Sequence, residues 1–158
     1  MDGNVYLRRV DREDVDLFFK WVNDPAVRAN SFNTERIQWE SHRKWFENVL
    51  ADDSVCIYVL MQDNLPVGQV RLVFEANKWQ ISYSIASAYR GQGYGKILLQ
   101  LVENELINNG HTGEELFAEV KIHNNASQRI FSRLGYVETV SNHSNAYAYV
   151  KAIGEKEQ

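Results

Sequence analysis

Three glycines at alternate positions, in Arg90-Gly91-Gln92-Gly93-Tyr94-Gly95-Lys96, separate a strand-like stretch from the helical run Ile97-Leu98-Leu99-Gln100-Leu101-Val102. Upstream, Trp79, Ile81, Tyr83 and Ile85 alternate with Gln80, Ser82 and Ser84, the period of a half-buried strand. Glycine lets backbone turn tightly or come close to a ligand. The helix start behind it presents unpaired N–H groups and the positive end of a dipole, which suit an anion such as phosphate. Arg90 and Lys96 add positive charge, and Arg90 has a fork that fits a phosphate. The competing reading is a glycine-rich turn with two solvated cations, and the surrounding chain must decide.

The junction also dictates topology. The next strand, residues 116–121, is reached through a helix, so it is expected to run parallel to the strand before the loop, by a right-handed crossover. Residues 54–62, 66–75 and 78–86 read as three strands joined by the tight turns Asp63-Asn64 and Ala76-Asn77, hence an antiparallel meander. Before them come a strand over 5–10 and a helix capped by Asp11 with the apolar stripe Val15, Phe18, Phe19 and Val22. That helix is expected to stop at Asn23-Asp24-Pro25. A polar loop from Arg28 to Thr34 follows, then a helix over about 38–51. After the parallel strand, Asn124-Asn125-Ala126-Ser127 caps a helix that Gly135 ends, and 136–141 with 146–151 close the chain as a hairpin. The fold class is α+β in one domain, residues 1–152, with a polar tail over 153–158.

Net charge is −4 and the pI near 5.6, so no basic field exists for nucleic acid and any anion site is local. The one cysteine, Cys56, reads as a buried small hydrophobe, and a disulfide within the chain is excluded. No Cys/His cluster has metal-ligand spacing, so no metal site is expected. The start lacks a basic and apolar leader pattern, and no apolar run approaches the ~20 residues of a membrane span, so a cytoplasmic protein without membrane contact is expected.

The element order resembles the GCN5-related N-acetyltransferase (GNAT) fold over nearly the whole chain. The resemblance rests first on the family's loop pattern, Arg or Gln, two residues, Gly, one residue, Gly or Ala, matched by Arg90, Gly93 and Gly95. It rests second on Val120-Lys121-Ile122-His123-Asn124, then Ser127, Phe131 and Gly135-Tyr136, similar to the family's asparagine-led segment ending in Gly-aromatic. It implies a mixed central sheet of about seven strands with four helices and a splay between the two central parallel strands. It further implies acetyl-CoA as the bound anion. The N–H groups from Gln92 to Lys96, with Arg90, Gly91, Gly93, Tyr94 and Gly95 around them, would cradle the pyrophosphate. Ser84, Ile85 and Ala86 would pair with the pantetheine arm, Ile85 N–H polarising the thioester carbonyl, and Asn124, Ser127 and Phe131 would face it from the other side. Capping alone is the competing role for Asn124 and Ser127.

Acetyl transfer needs a neutral amine, and an ammonium of pKa about 10.4 is short of that form near neutrality by ~4–5 kcal/mol. Glu119, in Ala118-Glu119-Val120, is the leading base candidate, unless strand parity turns it to solvent. Tyr83 is expected to hydrogen-bond the acceptor or relay a proton, and Glu75 and His123 are further candidates. The family's tyrosine acid falls at Phe131, which donates no proton, leaving solvent or Tyr136 to protonate the departing thiolate.

For the acceptor, Trp21 to Arg28, Asn30-Ser31-Phe32 and Trp39 to Phe46 resemble the subgroup that includes ribosomal-protein N-terminal acetyltransferases. Within it, the Arg28-Ala29-Asn30-Ser31-Phe32 stretch and the Ala118-Glu119-Val120-Lys121 run look closest to enzymes acting on the amino groups of nucleotide-linked sugars. Arg28, Asn30, Ser31, Phe32, Trp39 and His42 are the substrate-binding candidates. Phe32 has a core-packing alternative, and His42, on an apolar helical face, a hydrogen-bonded packing one. The acceptor is expected to be a small amine or amino sugar. The alternatives are a peptide N-terminus, which needs an open groove between the helical loop and the final hairpin, and a non-catalytic acyl-CoA-binding module. A monomer or a homodimer paired through the C-terminal strand is expected.

Overall fold

The computed structural model describes residues 3–154. A seven-stranded sheet in the order β1-β2-β3-β4-β5-β7-β6 forms its middle. β1 is Val5–Arg9, β2 Val55–Gln62, β3 Leu65–Glu75, β4 Lys78–Ile85, β5 Glu115–Lys121, β6 Val137–Thr139 and β7 Ala146–Ala152. The helices are α1 Val15–Val22, α2 Pro25–Asn30, α3 Trp39–Leu50, α4 Tyr94–Asn108 and α5 Asn125–Arg133. All strand pairs are antiparallel except β4 with β5. The meander turns lie where expected, with Asp63, Ala76 and Asn77 all at positive φ.

β4 and β5 pair only through Lys78–Glu115, Trp79–Leu116 and Gln80–Phe117. Beyond Gln80 the strands part, which is the expected splay, and β4 keeps only its β3 partner. Each sheet face carries its own core. α4 and α5 bury Leu98, Leu99, Val102, Phe131 and Leu134 against Leu72, Ile81, Leu116 and Val120. α1 and α3 bury Phe18, Trp21 and Phe46 against Ile57, Val59 and Met61.

The structure corrects four expectations. There are five α-helices, not four: Asp24 accepts from the N–H groups of Ala26 and Val27 and, with Pro25 in the first turn, starts α2 where a loop was expected. Pro25 stops one helix and opens the next, and Arg28, Ala29 and Asn30 are helical. Cys56 is half-buried and accepts from Arg9 at 3.4 Å. β7 lies between β5 and β6, so the C-terminal strand is not an edge that could pair across a dimer. Ile153 is 1% exposed and belongs to the core rather than to a tail; residues 155–158 of the expected tail lie outside the described residues.

Candidate active site

A cavity of about 1030 Å³ passes through the gap between β4 and β5. On the α4–α5 side its wall includes Tyr83, Ile85, Gly91, Gly93, Gly95, Asn124, Ser127 and Phe131. On the α1–α3 side it includes Arg28, Asn30, Ser31, Phe32, Gln69, Arg71, Ser82 and Glu119. Strand register sets this division. Arg71 pairs with Ser82, Gln69 with Ser84, and Gln80 with Phe117, so these residues share one face with Glu119, two positions along β5.

On the α4 side, Gly93 caps the helix at φ 87° with no side-chain cap, which leaves the first-turn N–H groups facing outward. Gly91 is also left-handed, at φ 75°. Gly95 lets α4 lie close to its neighbours: a Cβ there would stand 3.0 Å from Ile130 Cδ1 and 3.5 Å from the Tyr83 ring. Ala86 N–H donates to Val67 on β3, so alternation turns the Ile85 N–H to the gap edge of β4. Asn124 caps α5 by accepting from Ser127 N–H, and the Ser127 hydroxyl lies 2.7 Å from Tyr83 Oη. Burial raises the Tyr83 pKa and the Ser127 hydrogen bond opposes that, so the phenol stays protonated at neutral pH.

On the other side, Glu119 points into the cavity rather than to bulk solvent, its side chain 9% exposed. Its Oε2 accepts from Ser141 Oγ at 2.6 Å and Asn142 N–H at 3.2 Å, with His143 Nε2 4.0 Å away. Its Oε1 has no partner among the described residues. Above it, the Phe32 ring stacks on His143 with centroids 3.7 Å apart.

Several expected roles change. Arg90 is not a free fork: Nε donates to Ile85 O at 2.9 Å and its guanidinium pairs with Asp24 at 3.0 Å. Burial works against the Asp24 carboxylate, but Arg90 and the capped N–H groups outweigh it and hold its pKa down. Gln92, Lys96 and Ala86 lie off the cavity wall. Tyr83 faces the α5 side, not the α1–α3 side, because odd positions of β4 point that way. Tyr136 is buried beneath Phe131, its hydroxyl without a partner among the described residues and its pKa raised by burial, so it does not reach the cavity. Glu75 and His123 are exposed and off the wall.

Arg28 reaches the wall but is spent on structure, donating to Val22 O, Asn33 O, Glu35 O and Ser31 Oγ. Trp39 lies off the wall, edge-on to Phe19. His42 reaches the wall but is 2% exposed, with Nε2 on Val15 O at 2.9 Å and burial lowering its pKa, which favours the packing role. The sequence reading missed Gln69, Arg71, Trp45 and His143. A signal existed for Arg71: it is the one charge inside Val67-Gly68-Gln69-Val70-Arg71-Leu72-Val73-Phe74.

A family model described as an acetyltransferase (GNAT) domain matches residues 4–137. Solved structures share the fold at low identity. The aminoglycoside acetyltransferase AAC(6')-Ib, in complex with ribostamycin and coenzyme A, is 18% identical, with 95% of this chain and 94% of that one covered and a TM-score of 0.82. Spermidine N-acetyltransferase from Vibrio cholerae, with CoA and spermine, is 15% identical over 94% and 95%, with a TM-score of 0.78. The ribosomal alpha-N-protein acetyltransferase RimL, with coenzyme A, is 17% identical over 94% of each chain, with a TM-score of 0.80. No curated protein sequence matches this chain.

Proposed function

The chain belongs to the GNAT acetyltransferase family, enzymes that use acetyl-CoA, and we propose that it acetylates the amine of a small, sugar-like acceptor held on the α1–α3 side of the cavity. The observation that carries this is the Phe32–His143 stack, which joins the helical loop to the final hairpin across the place where a peptide would need an open groove. The polar floor of Gln69, Gln80, Ser82 and Ser84 supports it, since amides and hydroxyls are the groups that read sugar hydroxyls. Membership of the family sets aside the non-catalytic module.

The residues on the α4 side fit the coenzyme. The uncapped first turn of α4 and the left-handed glycines before it would receive the pyrophosphate. The gap edge of β4 at Ile85, with Asn124 and Ser127 opposite, would receive the pantetheine arm. Acetyl-CoA supplies the acyl group as a thioester.

The chain's own work is then to place the amine and take its proton. Glu119 Oε1 is the free acceptor on that side, while Ser141 and Asn142 fix the carboxylate through Oε2. Ile85 N–H is placed to stabilise developing negative charge. Phe131 gives no proton, and a thiol of pKa about 8.5 leaves well enough as the thiolate.

The test is thiol release from acetyl-CoA with a panel of amino sugars, nucleotide-linked amino sugars, polyamines and peptides bearing free N-termini. Turnover of the sugars is expected. Turnover confined to peptides would replace this reading with N-terminal acetylation of the ribosomal-protein type.

A further inference from the structure

The half-buried arginines of this chain are matched with partners, with one exception. Arg8 pairs with Asp14 at 2.8 Å and Arg43 with Glu40 and Glu47, and even the exposed Arg90 pairs with Asp24. Arg28 fills three backbone carbonyls and the Ser31 hydroxyl. Arg71 is half-buried in the cavity wall, and among the described residues it has neither a carboxylate nor a side-chain hydrogen bond. Its guanidinium rests 5.4 Å from the centroid of the Trp45 ring. Burial lowers its pKa.

An aromatic face offsets part of the cost of burying a guanidinium, but all five of its N–H donors still need acceptors. Water meets that need in an empty cavity. A ligand that displaces the water must bring acceptors of its own. The surroundings fix which kind: Arg71 stands opposite Ser82 and beside Gln69 and Gln80, on the floor that faces the acceptor side. The wall there carries Arg28 and Arg71 against the single carboxylate of Glu119. A polycation would place ammonium groups against an unneutralised guanidinium.

We propose that Arg71 is a specificity-determining residue that binds an oxyanion, a carboxylate or phosphate, carried by the acceptor at a distance from its reacting amine. The proposal rests on the reading of the α1–α3 side as the acceptor site. The fork of a guanidinium takes two oxygens of such a group at once, and stacking on Trp45 holds the fork in plane. The class this selects is an acidic amino sugar or amino-sugar phosphate, and the class it rejects is the polyamine or polycationic aminoglycoside.

The experiment compares three acceptors that share one amine: glucosamine, glucosamine 1-phosphate and 2-amino-2-deoxyglucuronic acid, with spermidine as the polycation. kcat/KM is measured by thiol release for the wild type, Arg71→Gln and Arg71→Lys, with melting curves to check folding. The wild type is expected to favour an acidic sugar over glucosamine by about tenfold or more. Arg71→Gln should bring that ratio towards one through KM, and Arg71→Lys should restore part of it. Whichever acidic sugar is favoured identifies the oxyanion.

Preference for glucosamine or spermidine in the wild type, or an unchanged ratio in Arg71→Gln, overturns the proposal. If no acceptor releases thiol, the acceptor reading has failed, and calorimetry with N-acetylglucosamine 1-phosphate decides the oxyanion site by itself. Binding weakened in folded Arg71→Gln upholds it. Equal binding, or none to the wild type, overturns it.

Discussion

The Phe32 ring lies nearly flat on the imidazole of His143, the two planes 12° apart, although 111 positions separate them in the chain. The contact joins the segment after α2 to the β6–β7 loop and closes the α1–α3 side of the cavity. Aromatic pairs of this kind are worth about 0.5–1.5 kcal/mol. Phe32→Ala and His143→Ala should therefore each raise the acceptor KM about two- to tenfold, with KM for acetyl-CoA little changed. Steady-state kinetics with each substrate varied in turn checks this. A rise confined to the acetyl-CoA KM would place the clasp in the wrong half of the cavity.

Glu119→Gln keeps the shape and the Oε2 hydrogen bonds of the carboxylate but removes the proton acceptor. General-base catalysis is worth about 10²–10⁴-fold, so kcat should drop by that order with coenzyme A binding retained. The residual rate should climb with pH, as solution supplies the neutral amine. A variant within twofold of wild type would remove Glu119 from the reaction.

Gly93 starts α4 in the left-handed region at φ 87°. Alanine there costs about 1–2 kcal/mol of backbone strain, relieved by moving the first turn of the helix. Gly93→Ala should lose about tenfold in coenzyme A affinity, measured by calorimetry, while Gly110→Ala, past the far end of the same helix with nothing within 4 Å, should not.

His42 gives a pH dependence with a defined sign. Burial lowers its folded pKa below the ordinary 6.5, outweighing the Val15 carbonyl that favours the charged form. Between those two values the unfolded chain binds the extra proton, so stability is full above about pH 6.5 and falls as pH drops through that window. Melting temperatures should decline from about pH 7 downward, and His42→Gln should flatten the upper part of that decline. A wild-type profile flat down to about pH 5 would contradict it.

Much of the fold was legible because its signals are local. The alternation in β4, the turns at Asp63-Asn64 and Ala76-Asn77, and the stripe in α1 each need only a short window. Pro25 was read in one direction only: a residue that cannot continue a helix is well suited to begin one, as Asp24 and Pro25 do for α2. The glycine turn and the start of α4 were legible too, since they are contiguous, although the engagement of Arg90 with Asp24 and Ile85 O was not. The α1–α3 side was legible only in part. Glu119, Asn30, Ser31 and Phe32 were picked out, but Arg71, Trp45 and His143 come from three other places in the chain, and only the strand register shows that Arg71 and Glu119 share a face. Whether a guanidinium is free or engaged is likewise invisible in sequence: Arg28, Arg71 and Arg90 look alike as letters, but one holds carbonyls, one has only an aromatic face, and one pairs with Asp24.

The short pairing of β4 with β5 has a mechanical side. Three residue pairs at Lys78–Gln80 join β1 to β4 on one hand and β5 to β6 on the other, which makes the sheet two leaves on one hinge. From Gln80 to Ile85 the lever is about 17 Å long, at ~3.3 Å per residue, so each degree of rotation opens the mouth by about 0.3 Å. The gape of the cavity is thus governed at its closed end, by the fit of Trp79, Leu116 and Phe117, residues that lie off the cavity wall.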